Sequence, residues 1–212
     1  MAGAKPVTLP DDNTLWQADG GPLRPGKPVT LTWTNPQGLK FSRRFEIDDN
    51  YLVTVHEMVE NTSGEPVQMA PYSIAKLVGE PKGLGFFILH EGPIAVFRKT
   101  AEDGAVINDP SYENVRDKGV DQASFGGWLG FTDHYWLVAL IPQQDKSQRV
   151  AYSYEKPADT YNAFYIGEAR TIAPGGRAEA THRVFAGAKE VDLLRRYGEE
   201  LKVEKFDWAI DF

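Results

Sequence analysis

The residues of this chain best able to move protons or hold a metal ion are four histidines, His56, His90, His134 and His182, and a scatter of carboxylates. The histidines stand tens of residues apart, so no local metal signature of the His-Glu-x-x-His kind exists. Each reads as a hydrogen-bonded or solvent-facing side chain unless separate strands bring several together. Serine nucleophile chemistry needs a strained Gly-x-Ser-x-Gly turn, and phosphate binding needs a glycine-rich loop with a following lysine; neither occurs. Gly83-Leu84-Gly85 is a bare Gly-x-Gly, better explained by a β-bulge or tight turn. Glu199-Glu200 fall on a solvated helix face and Asp48-Asp49 in a turn, where no pocket holds a carboxyl group for acid/base work. Asn61-Thr62-Ser63 fits a sugar-acceptor pattern but reads most simply as turn chemistry. With no cysteine, disulfides, thiolate chemistry and cysteine metal sites are excluded, while the redox compartment stays open. No catalytic residue, metal ligand or cofactor is expected.

Aromatic residues number twenty-five, five of them tryptophans. Trp33 and Trp136 lie inside strand patterns and are expected in the core. Trp128 follows two glycines, which free its backbone and make it the candidate exposed aromatic of a sugar or peptide platform.

Strands dominate the elements that would position these groups. Val29 to Thr34, VTLTWT, alternates in the manner of a half-buried strand. Asn35-Pro36-Gln37-Gly38 turns the chain into Leu39 to Ile47, and Asp48-Asp49-Asn50 turns it again into Tyr51 to Glu60, with Tyr51, Val53, Val55 and Val59 on one face. Further strands are expected at residues 67–70, 73–78, 86–89, 94–97, 149–154, 160–166, 170–173 and 178–185. The stretch from Arg98 to Ser124 is polar and lacks a period, as mobile or functional loops do. Phe125 to Pro142, FGGWLGFTDHYWLVALIP, contains an apolar run from Tyr135 to Pro142. That run suits a strand buried on both faces and is far short of the roughly 20 residues that span a membrane. After Gly187 the period lengthens toward 3.6, with Val191, Leu194, Tyr197 and Leu201 on one side, an amphipathic helix. The pattern specifies an all-β antiparallel sandwich with a C-terminal helix.

Composition agrees. The chain is 42% hydrophobic and 25% charged, as ordinary folded domains are, with 20 glycines and 14 prolines marking many tight turns. Its net charge of −7, and the absence of a clustered positive surface beyond doublets such as Arg43-Arg44 and Arg195-Arg196, exclude a nucleic-acid partner. Met1 to Lys5 has no apolar signal region, so the protein is either cytoplasmic or has lost an upstream segment. Phe206, Trp208, Ile210 and Phe212 crowd the last seven positions. Such residues mark a chain approaching a bilayer, or else a terminal helix docked on the core.

Four segments in order, NTSGEPV (61–67), HEGPIAVF (90–97), GGWLGFTDHYWLVALIP (126–142) and FDWAIDF (206–212), resemble the periplasmic domain of the YidC-type membrane protein insertases of Gram-negative bacteria. The resemblance implies a galactose mutarotase-like β-super-sandwich over residues 29–186. Residues 1–28 would be an N-terminal extension and edge, and residues 187–212 a helical segment leading toward the membrane. It implies a noncatalytic domain at the periplasmic face of the inner membrane, supporting insertion, a monomer by itself. The membrane core of the same insertase and the SecD-SecF complex of the Sec translocon would be its partners, with Arg98 to Ser124 a docking surface. Met1-Ala2 would be an expression start. No functional residue transfers to this sequence, because the family's insertion groove lies in the membrane core. A mutarotase-like sugar epimerase, with a histidine and a glutamate flanking a sugar ring, is the rival reading, and a carbohydrate- or peptide-binding module a third.

Overall fold

The computed structural model describes residues 7–81 and 90–210. Among them the chain forms β1 (Gln17–Asp19), β2 (Val29–Thr34), β3 (Leu39–Ile47), β4 (Leu52–Asn61), β5 (Val67–Met69), β6 (Tyr72–Val78), β7 (Gly92–Phe97) and β8 (Val106–Asn108). Then follow α1 (Tyr112–Asp117), β9 (Val120–Phe125), β10 (Trp128–Thr132), β11 (Trp136–Ile141), β12 (Ser147–Glu155), β13 (Thr160–Ile166), β14 (Arg170–Ile172), β15 (Arg177–Ala188) and α2 (Val191–Leu201). The expected limits of β2, β3 and β13 coincide with those found. The strand expected at 86–89, Gly83-Leu84-Gly85 and Phe212 lie outside the described residues.

The chain divides into two units, residues 1–48, 54–70 and 169–181 in the first and 49–53, 71–168 and 182–212 in the second. In the first, β1, β2, β3 and β4 are neighbours in that order, and β5 pairs with β14. Register places Trp33 opposite Phe41, and the rings of Trp16, Trp33 and Phe41 form a ladder capped by Arg43, which lies over Trp16 and pairs with Glu57 at 2.8 Å. The turns are held by buried amides. Asn35 Oδ1 accepts from the N–H groups of Gln37 and Leu39, and Asn61 Nδ2 donates to the carbonyls of Glu65 and Ile172. Asn61 is therefore turn machinery.

The second unit has three layers. Its central sheet runs β15-β11-β10-β7-β8, and a second sheet runs β6-β13-β12-β9. Strand alternation divides the central sheet cleanly. Ile94, Val96, Trp128, Leu137, Ala139, Ile141 and Phe185 face Leu193, Leu194 and Tyr197 of α2 and Val203, Phe206 and Ala209 beyond it. Ala95, Phe97, Leu129, Phe131 and Leu140 face Val150, Tyr152, Tyr161, Ala163 and Tyr165 of the second sheet. A sheet covered on both faces needs strands without a polar side, which is why all six residues of β7 are buried.

Four expectations are corrected. The stretch from Arg98 to Ser124 is not irregular: it holds β8, α1 with Ser111 Oγ accepting from Asn114 N–H at its start, and most of β9, which pairs with β12. The apolar run from Tyr135 is buried on both faces only from Ala139 onward, because Trp136 and Val138 point beyond the cover of the second sheet. Trp136, expected in the core, is 55% exposed. Tyr51, grouped with the valines of its strand, lies outside β4 at positive φ and is exposed.

Candidate functional site

Residues 125–144 build the floor on which the C-terminal segment rests. Gly126 and Gly127 both have positive φ, and a Cβ on Gly127 would overlap the carbonyl oxygen of Val96. Only glycine lets the turn pass that close to β7. Gln144 clamps the turn: its Oε1 accepts from Gly127 N–H at 2.9 Å, and its Nε2 donates to the carbonyls of Gly127 and Pro142. The turn delivers Trp128 into the core, where it is 1% exposed. Trp128 is thus not the exposed platform aromatic expected from the freedom of its neighbours; the glycines serve to bury it.

Onto this floor α2 lays Leu194 and Tyr197, and the Tyr197 hydroxyl donates to the Asn50 carbonyl at 3.2 Å. Lys202, in the left-handed conformation, ends the helix, and Val203 N–H donates to the Gly198 carbonyl. The chain then folds back through a 3-10 turn, Phe206–Ala209. Phe206 meets the Trp128 ring edge-on at 5.3 Å and Phe185 at 5.8 Å. The Trp128 indole N–H donates to the Glu204 carbonyl at 3.3 Å, Lys205 Nζ donates to the Ala105 carbonyl at 2.6 Å, and Arg195 pairs with Asp207 at 3.1 Å.

Arg98 ties floor and segment together. Its guanidinium donates to the carbonyls of Phe125 and Gln144 and to Glu204 Oε1 at 2.7 Å. Of the apolar residues crowding the C-terminal end, Phe206 is buried in the core. Trp208 is 43% exposed with Lys205 Nζ 4.5 Å from its ring centroid, and Ile210 is half-buried against the same core. Arg98, Gln144 and Glu204 escaped the sequence reading; a lone arginine closing the apolar strand GPIAVF was the available signal.

Among the described residues the four histidines do not converge on one metal-type site. His182 is buried with Nδ1 2.5 Å from the Tyr165 hydroxyl, and His56 Nδ1 lies 3.3 Å from Thr181 Oγ1. His90 Nε2 lies 2.8 Å from the Pro93 carbonyl, and His134 lies 4.0 Å from Glu91. Nearby, Lys189 donates to Thr132 Oγ1, and burial pushes its pKa down against the pull of Asp133 and Glu91. Among the described residues no group of three metal-ligating side chains converges, and no helix is long and apolar enough to cross a membrane.

Comparison with known proteins decides the family. The model of the YidC periplasmic domain matches residues 1–212. The chain belongs to the YidC periplasmic domain family. Curated relatives, each called membrane protein insertase YidC, are 41% identical in Methylorubrum extorquens, over 99% of this chain and 35% of the relative, and 40% identical in Roseobacter denitrificans, over 98% and 36%. The chain therefore spans about a third of their length. Solved structures share the fold alone. A galactose mutarotase related enzyme from Lactobacillus acidophilus has a TM-score of 0.58 at 12% identity, covering 82% of this chain and 71% of that one. A GH36 α-galactosidase from Geobacillus stearothermophilus has a TM-score of 0.59 at 8% identity, covering 89% and 29%. The mutarotase-like super-sandwich implied by the resemblance is thus the fold of this YidC periplasmic domain, and the expected noncatalytic character accords with relatives described as insertases.

Proposed function

We propose that this domain supports membrane protein insertion without catalysing a reaction, by holding the polypeptide that follows it at a fixed place and angle on the periplasmic face of the inner membrane. The observation that carries this reading is the docked C-terminal segment. Residues 191–210 are fixed by a continuous apolar contact and by hydrogen bonds from Trp128, Arg98 and Lys205 to backbone or carboxylate groups, while Trp208 stays half outside with a lysine over its ring. Aromatic rings with neighbouring cations suit headgroup depth. Phe206 anchors the segment from within; Trp208 and Ile210 supply its membrane-proximal side. The membrane core of the insertase is the first partner in this reading, and the SecD-SecF complex of the Sec translocon a further one, reached through the α1 and β9 surface.

The test is a graft. This chain replaces the corresponding third of the Methylorubrum extorquens insertase, and insertion of a membrane protein is read by protease accessibility in cells depleted of the native insertase. The graft should restore insertion, and Phe206→Ala in it should reduce insertion several-fold at equal protein level. Full insertion with Phe206→Ala, or with residues 191–210 replaced by a flexible linker, would refute the positioning role. Pull-down of SecD-SecF by the graft, lost when residues 106–125 are exchanged, tests the further partner.

A further inference from the structure

We propose that the open edge of β6, with the uncovered apolar strip of β11 and β15 beside it, receives an extended segment of a client polypeptide as an added strand; this rests on the insertase reading and names its partner. Among the described residues the second sheet has four strands and ends at β6. Its β13 lies over β10 and its β6 over β11, and nothing among the described residues continues the sheet past β6. The face of β11 and β15 that a fifth strand would cover is bare: Trp136, Val138 and, opposite Val138 in register, Ala186 are exposed. One bare aromatic is ordinary; an apolar strip running beside a free strand edge is not.

The edge has the polarity a strand needs. Gly79 N–H donates to the Asp159 carbonyl and Gly167 N–H to the Pro71 carbonyl, so by alternation Ser73, Ala75 and Leu77 spend their backbone groups on β13. Tyr72, Ile74, Lys76 and Val78 therefore turn their N–H and C=O groups outward. Four outward pairs over seven residues form a template long enough for specific pairing. One charge on the edge, Lys76, selects the occupant. Self-pairing of two copies about the middle of β6 would set two Lys76 side chains on one face as near neighbours, which is unfavourable, whereas a foreign strand with a carboxylate there is favoured. Main-chain pairing over a flat apolar floor is indifferent to most of the incoming sequence, as many different clients require.

The probe is a fluorescent ten-residue peptide of alternating valine and threonine with one central glutamate, added to this 212-residue chain. Amide exchange read by NMR should slow at least ten-fold at Tyr72, Ile74, Lys76 and Val78, and fluorescence anisotropy should report binding. Lys76→Pro removes an outward N–H that β13 does not use, so the fold should survive while affinity falls at least ten-fold. Trp136→Glu, at an exposed position, should weaken binding comparably without touching β6. Unchanged affinity in both variants, protection mapping to β9 instead, or a concentration-dependent dimer of the wild-type chain lost in Lys76→Pro would overturn the proposal, the last by making a second copy the occupant. The peptide assay involves no insertion and the graft assay involves no peptide, so the two readings fail separately.

Discussion

Phe206 and Trp128 hold each other edge to face inside one core, so truncating either leaves a cavity with few atoms free to fill it. Phe206→Ala is expected to cost about 3–5 kcal/mol in urea unfolding. Arg98 offers a sharper comparison. Its link to Glu204 is an ion pair with a half-exposed carboxylate, of the kind that contributes about 1 kcal/mol or less. Its bonds to the carbonyls of Phe125 and Gln144 are charge-assisted and shielded, in the class of about 1.5–3 kcal/mol each. Arg98→Ala should therefore destabilise the chain clearly more than Glu204→Ala; equal losses would show that the ion pair dominates. Tyr152 sets a pH limit. Burial raises its phenol pKa well above 10.0, and its hydroxyl bridges the Ile94 carbonyl and the Gly130 N–H. Above pH 10 the unfolded chain loses this proton and the folded chain keeps it, so the folded state holds more protons and stability falls as pH rises. Tyr152→Phe should lower stability at neutral pH by about 1–3 kcal/mol, through the unpaired backbone groups, and should flatten the alkaline decline.

At the scale of elements, the Gly126-Gly127 turn and the β10–β11 hairpin explain the most specific motif in the chain. Gly127→Ala would combine a left-handed backbone with overlap on the Val96 carbonyl, and a loss of at least ~2 kcal/mol in thermal or urea unfolding is expected. Long strands such as β2, β3 and β13 were legible because alternation and turn residues agree over six or more positions. The hairpin was not, since the run from Phe125 to Pro142 looks continuous; Asp133, whose Oδ1 accepts from the N–H groups of Tyr135 and Trp136, was the turn signal inside it. The elements between Arg98 and Ser124 were hidden for another reason. β8 is three residues and α1 is six, too short to show a period, and β9 is an edge strand whose exposed residues include Asp121 and Gln122. Burial of Trp128 was illegible because it depends on α2 and Phe206, more than sixty residues away in sequence.

For the whole molecule, the likeness to sugar enzymes, at 8–12% identity, is one of architecture alone. Mutarotation needs an acid and a base across a ring; the buried His182 faces a tyrosine, and the two histidines near carboxylates, His56 at 3.6 Å from Glu46 and His134 at 4.0 Å from Glu91, are partly exposed side chains on different strands and turns. Freshly dissolved glucose or galactose should therefore relax in a polarimeter at its spontaneous rate in the presence of this protein, and acceleration at catalytic concentrations would contradict the noncatalytic assignment. Architecture was readable from the chain because strand patterning and turn chemistry are local; the proposed use was readable only through family likeness, since the described residues gather no metal-type cluster.

The layer that closes the core is also the last to be made. While a ribosome releases the chain from its N-terminus, β7, β10 and β11 emerge with Trp128, Leu137 and Ile141 bare, and their cover, from Leu193 to Ala209, follows some sixty residues later. At ordinary elongation speeds that interval lasts on the order of 3–12 s. During it a greasy ribbon stands open to water, so vectorial synthesis obliges this domain to be shielded by a holding factor, or to finish folding only after its final residues have cleared the exit.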